Sequence, residues 1–279
     1  MPSIVVNSTD RELTLCYESF GAGSGDWIIL IRGLGTQLIE WSPQLIEGFN
    51  AAGLRVLVFD NRDAGLSDKI EADYRVEDMA ADVVGLMDAL HIKRAHIFGI
   101  SLGGMIAQLF AYAYPERTMT LCSVMSSSGN PELPRAKPEV SAWLSIDVDS
   151  REEYIRQDAE SRVVFGSPGY PETEAERIEM STRTYDRSFV PEGTARQMRA
   201  IIASMDRTQK LEAIQVPTLV IHGEEDALVP LPHGEDTAQR IPGARFRAVA
   251  GMGHNIPHSL APQIVEMVTD FIAGLLTRN

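Results

Sequence analysis

The sequence predicts an α/β layer fold on a mostly parallel sheet, interrupted by one helical insertion. Three observations carry that prediction. Short apolar runs rich in branched residues recur along the chain, segments of helical period separate them, and the alternation breaks once, between Pro131 and Glu212. A strand covered on both faces must be apolar nearly throughout, whereas a half-exposed strand alternates, so short continuous apolar runs mark a buried parallel sheet. Strands alternating with helices are what crossover connections between parallel strands require.

In order from the amino end, Leu13–Tyr17 alternates and predicts an antiparallel edge strand. Trp27–Ile31 is the first continuous apolar run, and the helix-period segment Ser42–Ala52 follows it. Leu54–Phe59, helix Val76–Leu90, Ala95–Ile100, helix Leu102–Tyr114 and Thr118–Val124 repeat the pattern. Beyond the break it resumes with Thr218–Ile221, helix His233–Ile241, Phe246–Ala250 and helix Pro262–Leu276.

The break itself is denser in charge, with 16 acidic and 12 basic side chains between positions 131 and 212. Its periodicity is helical, with Trp143, Tyr154, Phe165, Tyr170, Met180, Tyr185, Phe189, Met198 and Met205 dispersed along it. Pro138, Pro171 and Pro191 are each followed by Glu, as in the first turns of helices. The predicted organisation is therefore a core of residues 1–130 and 213–279, with an insertion of three or four helices at 131–212.

Composition narrows the function classes. The chain has 279 residues, 44% of them hydrophobic and 23% charged, which excludes disorder and needs no stabilising staples. A net charge of −14 opposes a phosphate backbone and an anionic membrane surface, so neither nucleic acid nor membrane is expected as a partner. Cys16 and Cys122 are too few for a disulfide framework and fit a reducing compartment. The first residues carry no secretory pattern and no apolar run reaches spanning length, so a cytoplasmic protein is expected.

The chemistry centres on Gly99-Ile100-Ser101-Leu102-Gly103, at the junction of a predicted strand and a predicted helix. In that setting Gly-x-Ser-x-Gly marks a nucleophile elbow. A turn sharp enough to expose the serine oxygen crowds its neighbours, so the positions two before and two after must lack a Cβ. The serine would also sit at a helix amino terminus, where backbone N–H groups favour developing negative charge.

A serine needs a base. Of six histidines, His254 follows the last predicted strand in Gly251-Met252-Gly253-His254-Asn255, at the carboxyl edge where open α/β sheets bind ligands. His96 lies inside a strand and is expected to be packed and hydrogen-bonded, while His258 is the alternative base. A carboxylate must orient the imidazole, and Glu224-Glu225-Asp226 ends another strand. Asp226 is the candidate, because the two glutamates directly at the strand end suit a solvated turn. The resulting chain order is Ser101, Asp226, His254.

Two rivals fail. Gly33-x-Gly35 has Leu38 where a dinucleotide fingerprint needs its third glycine. His254 and His258 are four apart, but Pro257 interrupts them and no Glu follows His254, so the zinc-protease pattern is absent. Neither a cofactor nor a metal is expected.

With this elbow, this order and the string Phe59-Asp60-Asn61-Arg62-Asp63-Ala64-Gly65-Leu66-Ser67, the chain resembles the α/β-hydrolase fold family over nearly its full length. Within it the likeness is to the esterase and lactonase branch, near aclacinomycin methylesterases and 3-oxoadipate enol-lactonases. The resemblance implies an eight-stranded, mostly parallel sheet with residues 131–212 as a helical cap over the serine. It also implies an oxyanion hole from the backbone N–H groups of Leu34 and Leu102. Where the family commonly has His-Gly, this chain has Arg32-Gly33. The loop keeps its glycine, and Arg32 is expected either to pair with a nearby carboxylate or to contact substrate. Arg62 and Asp63 are expected to form a buried ion pair or brace their turn rather than catalyse.

A serine at the elbow implies an acyl-enzyme from an ester, thioester or lactone. The expected activity is carboxylic ester hydrolysis of small molecules, with methyl esters or lactones favoured by the resemblance alone. The alternatives are a carbon–carbon hydrolase or perhydrolase using the same triad, or a non-catalytic small-ligand receptor.

Overall fold

The computed structural model describes residues 1–9, 11–144, 148 and 150–276. Eight strands form one sheet: β1 Ser3–Asn7, β2 Glu12–Phe20, β3 Trp27–Ile31, β4 Arg55–Phe59, β5 Ala95–Ile100, β6 Thr118–Val124, β7 Thr218–Gly223 and β8 Arg245–Val249. Their spatial order is β1-β2-β4-β3-β5-β6-β7-β8. All pairings from β4 to β8 are parallel; β2 runs antiparallel to both its neighbours.

This corrects one expectation. The Leu13–Tyr17 strand is antiparallel but not at the edge, because β1 lies outside it. β1 buries only Val6 fully, so it has no continuous apolar signature.

Alternate residues of the central strands feed opposite cores. Ile29, Leu57 and Ile97 point toward α2 (Val76–Ala89) and α3 (Leu102–Ala113), packing with Val83, Ile106 and Phe110. Ile28, Val56 and Phe98 point the other way, toward α1 (Pro43–Ala51) and the carboxyl-terminal helix, packing with Phe49, Ile264 and Val268. Each such side chain contributes about 1.5–3 kcal/mol by leaving water. Trp41 and Phe49 each pack against Phe98 in a T-shaped arrangement, and the Phe49 contact fixes α1 against the middle of the sheet.

Between β6 and β7 lie α4 Pro138–Ser141, α5 Arg151–Val164, α6 Glu174–Arg187, α7 Pro191–Ala203 and α8 Thr208–Glu212. The predicted insertion also covers 145–147 and 149, which lie outside the described residues. Pro138 and Pro191 open α4 and α7 as predicted, but Pro171 does not open a helix. Thr173 caps α6 instead, its hydroxyl accepting the Glu176 N–H while Glu176 reaches back to the Thr173 N–H. After β7 come α9 Pro232–Arg240 and, beyond β8, α10 Ala261–Leu276. Among the described residues no helix is long and apolar enough to cross a membrane.

Candidate active site

Ser101 joins β5 to α3 with φ 54° and ψ −120°, a conformation that side chains rarely adopt. Such a backbone costs on the order of 1–3 kcal/mol and persists only when its surroundings over-determine it. Here they do. The Ser101 N–H donates to the Val124 carbonyl at 3.0 Å, and its own carbonyl accepts from Gly104 N–H and from the Ser126 hydroxyl at 2.8 Å. A Cβ on Gly99 would run into the Gly103 carbonyl, and one on Gly103 into the Ile31 carbonyl. The two glycines of the motif are thus required by backbone on either side, as the sequence predicts.

The base and the carboxylate arrive from the next two strand ends. Asp226 follows β7; Glu224 and Glu225 are exposed while its own carboxylate is buried. Asp226 Oδ1 accepts the N–H groups of Leu228 and Val229 at 3.0 and 2.8 Å, which leaves Oδ2 for His254 Nδ1 at 2.7 Å. His254 Nε2 lies 2.9 Å from Ser101 Oγ. With Nδ1–H donating to the carboxylate, Nε2 accepts from the serine hydroxyl, so this arrangement can draw the proton from Ser101 and stabilise the resulting imidazolium.

A segment that the sequence did not single out holds the histidine loop. The His254 N–H donates to the Phe165 carbonyl at 2.7 Å, the Gly253 N–H to Ser167 Oγ at 2.9 Å, and the Gly169 N–H to the Gly251 carbonyl at 2.9 Å. The Ser167 hydroxyl donates in turn to Asn255 Oδ1 at 2.6 Å. This strap between α5 and α6 belongs to the insertion. The cluster Gly166-Ser167-Pro168-Gly169 within a helical stretch is the signal that could have marked it.

On the other side, a Cβ at Gly33 would sit 3.2 Å from Ser101 Cβ, so the glycine lets this loop approach the serine without crowding it. The Gly33 carbonyl accepts the Thr36 N–H and hydroxyl, closing a tight turn across Leu34 and Gly35. Among the described residues, neither the Leu34 N–H nor the Leu102 N–H has an acceptor. Arg32 points into a charge cluster. Its Nη1 donates to the Glu40 carbonyl, its Nη2 lies 3.7 Å from Glu40 Oε2, and its guanidinium stacks over Trp41. Arg162, from α5, meets the same carboxylate at 2.8 Å. Burial alone would raise the Glu40 pKa, but Arg162 and Arg32 outweigh it and hold the carboxyl below its ordinary range.

The remaining candidates are placed elsewhere. His258 Nδ1 pairs with Ser42 Oγ at 3.1 Å, so the alternative base is engaged away from the elbow serine. His96 is buried with Nδ1 against Thr120 Oγ1 at 2.9 Å, and burial lowers its pKa to about 4. Arg62 and Asp63 do not pair with each other: Arg62 grips Asp82 of α2 through two bonds of 2.6 Å, and Asp63 pairs with Arg196 of α7 at 2.7 Å. Each braces the turn after β4 from a different side.

A family model described as alpha/beta hydrolase fold matches residues 26–259. The chain is similar to rhodomycin D methylesterase of Streptomyces peucetius, at 28% identity over 282 residues, covering 92% of this chain and 93% of that protein. It is similar also to a 2-hydroxy-6-oxo-6-phenylhexa-2,4-dienoate hydrolase of Comamonas testosteroni, at 30% identity over 258 residues, covering 90% and 89%. Among solved structures, the enol-lactonase from Burkholderia xenovorans matches with a TM-score of 0.78 at 27% identity, covering 97% of this chain and 100% of that one.

Proposed function

The chain belongs to the α/β hydrolase fold family, and from that membership we propose that it is a serine carboxylic ester hydrolase acting through an acyl-enzyme. Its substrates are small-molecule esters, with methyl esters and lactones favoured by the methylesterase and enol-lactonase it is similar to. The observation that carries the reading is the unbroken relay from Asp226 Oδ2 through His254 to Ser101 Oγ, at 2.7 and 2.9 Å.

In this reading His254 Nε2 takes the Ser101 proton as Oγ bonds to the acyl carbon. The carbonyl oxygen becomes an oxyanion and receives the unpaired N–H groups of Leu34 and Leu102. As the tetrahedral species collapses, the imidazolium gives its proton to the leaving alcohol oxygen and the carbon–oxygen bond breaks. A water then loses a proton to His254, attacks the acyl-enzyme, and releases the acid while Ser101 recovers its proton. Asp226 stays ionised throughout. The helical insertion 131–212 acts as a cap that shapes the substrate site, a role supported by its strap on the histidine loop.

A panel of p-nitrophenyl, methyl and lactone substrates tests this. Ser101→Ala is expected to lower kcat by about 10⁴-fold or more, and an alkylphosphonate is expected to label Ser101. Labelling at another serine such as Ser67, or an active Ser101→Ala variant, overturns the assignment. A second reading, hydrolysis of a carbon–carbon bond beside a ketone, is favoured by the relative acting on a 6-oxo-dienoate. Turnover of such a dienoate faster than of any ester in the panel would select it.

A further inference from the structure

We propose that Gln197, on α7 of the insertion, is a positioning residue that aims the Leu34 N–H at the oxyanion; this rests on the serine-hydrolase reading above. Gln197 is fully buried. Its Oε1 accepts the Gly35 N–H at 2.8 Å, and its Nε2 donates to the Arg62 carbonyl at 2.7 Å. The first bond crosses 162 positions of sequence and the second 135. One carboxamide therefore ties the oxyanion loop to the turn after β4.

The bond at Gly35 bears on Leu34 directly. The Gly35 N–H belongs to the peptide that follows Leu34, inside the turn closed by the Gly33 carbonyl and Thr36. Gly35 has φ 66°, which glycine adopts without penalty, so its own backbone preference does not fix this peptide and an external partner is needed to hold it. Because that turn is closed at both ends by Gly33 and Thr36, a displacement of the 34–35 peptide strains the adjoining 33–34 peptide, which carries the Leu34 N–H. The bond from the Gly35 N–H to Gln197 holds the 34–35 peptide against that displacement.

The clamp has one orientation and a rigid base. The Gly35 N–H can only donate and the Arg62 carbonyl can only accept, so the carboxamide has one satisfied orientation. The Arg62 side chain is itself pinned by Asp82. Thr194, one turn earlier on α7, presses the same spot: a Cβ at Gly35 would lie 2.6 Å from Thr194 Oγ1. Gly193 allows α7 to lie flat on the β4 turn, since a Cβ there would strike the Asp63 carbonyl. Among the described residues none of these groups hydrogen-bonds to the Ser101, His254 or Asp226 side chains, so losing Gln197 should change transition-state stabilisation rather than nucleophile activation.

Gln197→Met and Gln197→Asn test the assignment on p-nitrophenyl butyrate, with inhibition by phenylboronic acid as the second readout. The boronate adduct on Ser101 places an oxygen where the oxyanion develops. Gln197→Met is expected to lower kcat by about 10- to 100-fold with KM within about threefold, and to weaken phenylboronic acid by a similar factor. Gln197→Asn keeps a buried amide but withdraws it by one methylene, and is expected to show a smaller loss with the same pattern. Arg199→Ala, which removes an exposed pair with Asp73 on the same helix, is expected to behave as wild type. Unchanged kcat in a folded variant, or a KM that rises in step with the boronate constant, overturns the proposal. If Gln197→Met does not fold, Gln197→Asn decides on the same criteria. A wild-type protein that neither turns over esters nor is labelled at Ser101 defeats the hydrolase reading itself; an active, labelled wild type with indifferent Gln197 variants defeats only the positioning role.

Discussion

Replacing Asp226 by Asn exchanges one oxygen for an amino group with almost no change of shape, and the surroundings dictate which branch receives the nitrogen. The Oδ1 position faces two backbone donors, the N–H groups of Leu228 and Val229 at 3.0 and 2.8 Å. An amino group there would oppose both, so the amide oxygen stays and the nitrogen turns to His254. It then donates to Nδ1, which must become the acceptor of the pair. The neutral imidazole carries its proton on Nε2, 2.9 Å from Ser101 Oγ, and can no longer accept the serine proton. The expected fall in kcat is about 10⁴-fold, or about 5 kcal/mol of barrier. Both Oδ1 bonds survive, so stability should stay within about 1 kcal/mol of wild type. Asp226→Ala, in contrast, leaves two part-buried N–H groups without their acceptor, at about 1 kcal/mol each. Steady-state kinetics on p-nitrophenyl butyrate at pH 7, paired with thermal melts of both variants, read the two effects separately. An Asn variant within about tenfold of wild-type kcat, or one as unstable as the Ala variant, would refute the branch argument.

Three further expectations concern the frame of the site. Gly103→Ala drives a Cβ into the carbonyl oxygen of Ile31, which is backbone and cannot yield; a loss of about 3 kcal/mol or more is expected by urea denaturation, and a near-native midpoint contradicts the packing argument. Asp82→Ala removes from Arg62, whose side chain is 0% exposed, the carboxylate that holds it through two bonds of 2.6 Å; a loss of about 1.5–3 kcal/mol is expected, again read by denaturation. For His96, burial depresses the folded pKa to about 4, while the unfolded side chain takes its proton near the ordinary value of about 6.5. The stability it contributes is therefore complete above about pH 6.5 and is lost as pH falls toward 4. Melts of His96→Gln across that window should show a shallower acid slope than wild type; parallel slopes would mean that His96 does not titrate as its burial implies.

The sheet and the elbow were legible because both rest on local rules. Apolar runs such as Trp27–Ile31 and Ala95–Ile100 mark strands buried on both faces, and Gly99 is required by the Gly103 carbonyl within the elbow itself, whereas Gly103 is required by the Ile31 carbonyl of β3, a contact that the motif spacing marks without naming. β1 was not legible, since a strand with one fully buried residue carries almost no pattern. The partners of isolated charged and amide residues were equally hidden. Arg62 finds Asp82, Asp63 finds Arg196, and Gln37 donates to the carbonyls of Thr184 and Ser188 across most of the chain. The last two pairings depend on where the insertion comes to rest, Arg62–Asp82 on how α2 packs against the turn after β4, and a single buried amide leaves no periodicity to reveal it. Arg32 illustrates the boundary: a carboxylate partner was one of the two roles its position left open, and that the partner is Glu40, shared with Arg162, was not readable.

The strap from Phe165 to Gly169 sets a limit on how this scaffold can be rebuilt. A chimera that exchanged the whole stretch between β6 and β7 for that of another protein would import a new binding surface. It would also remove the Phe165 carbonyl and Ser167 hydroxyl that anchor the backbone of His254 and Gly253. Such a hybrid would recognise its new ligand and turn over little of it. Grafts that keep residues 165–169 and Gln197 in place, and vary only the helix faces between them, separate the freedom to change specificity from the obligation to hold the machinery still.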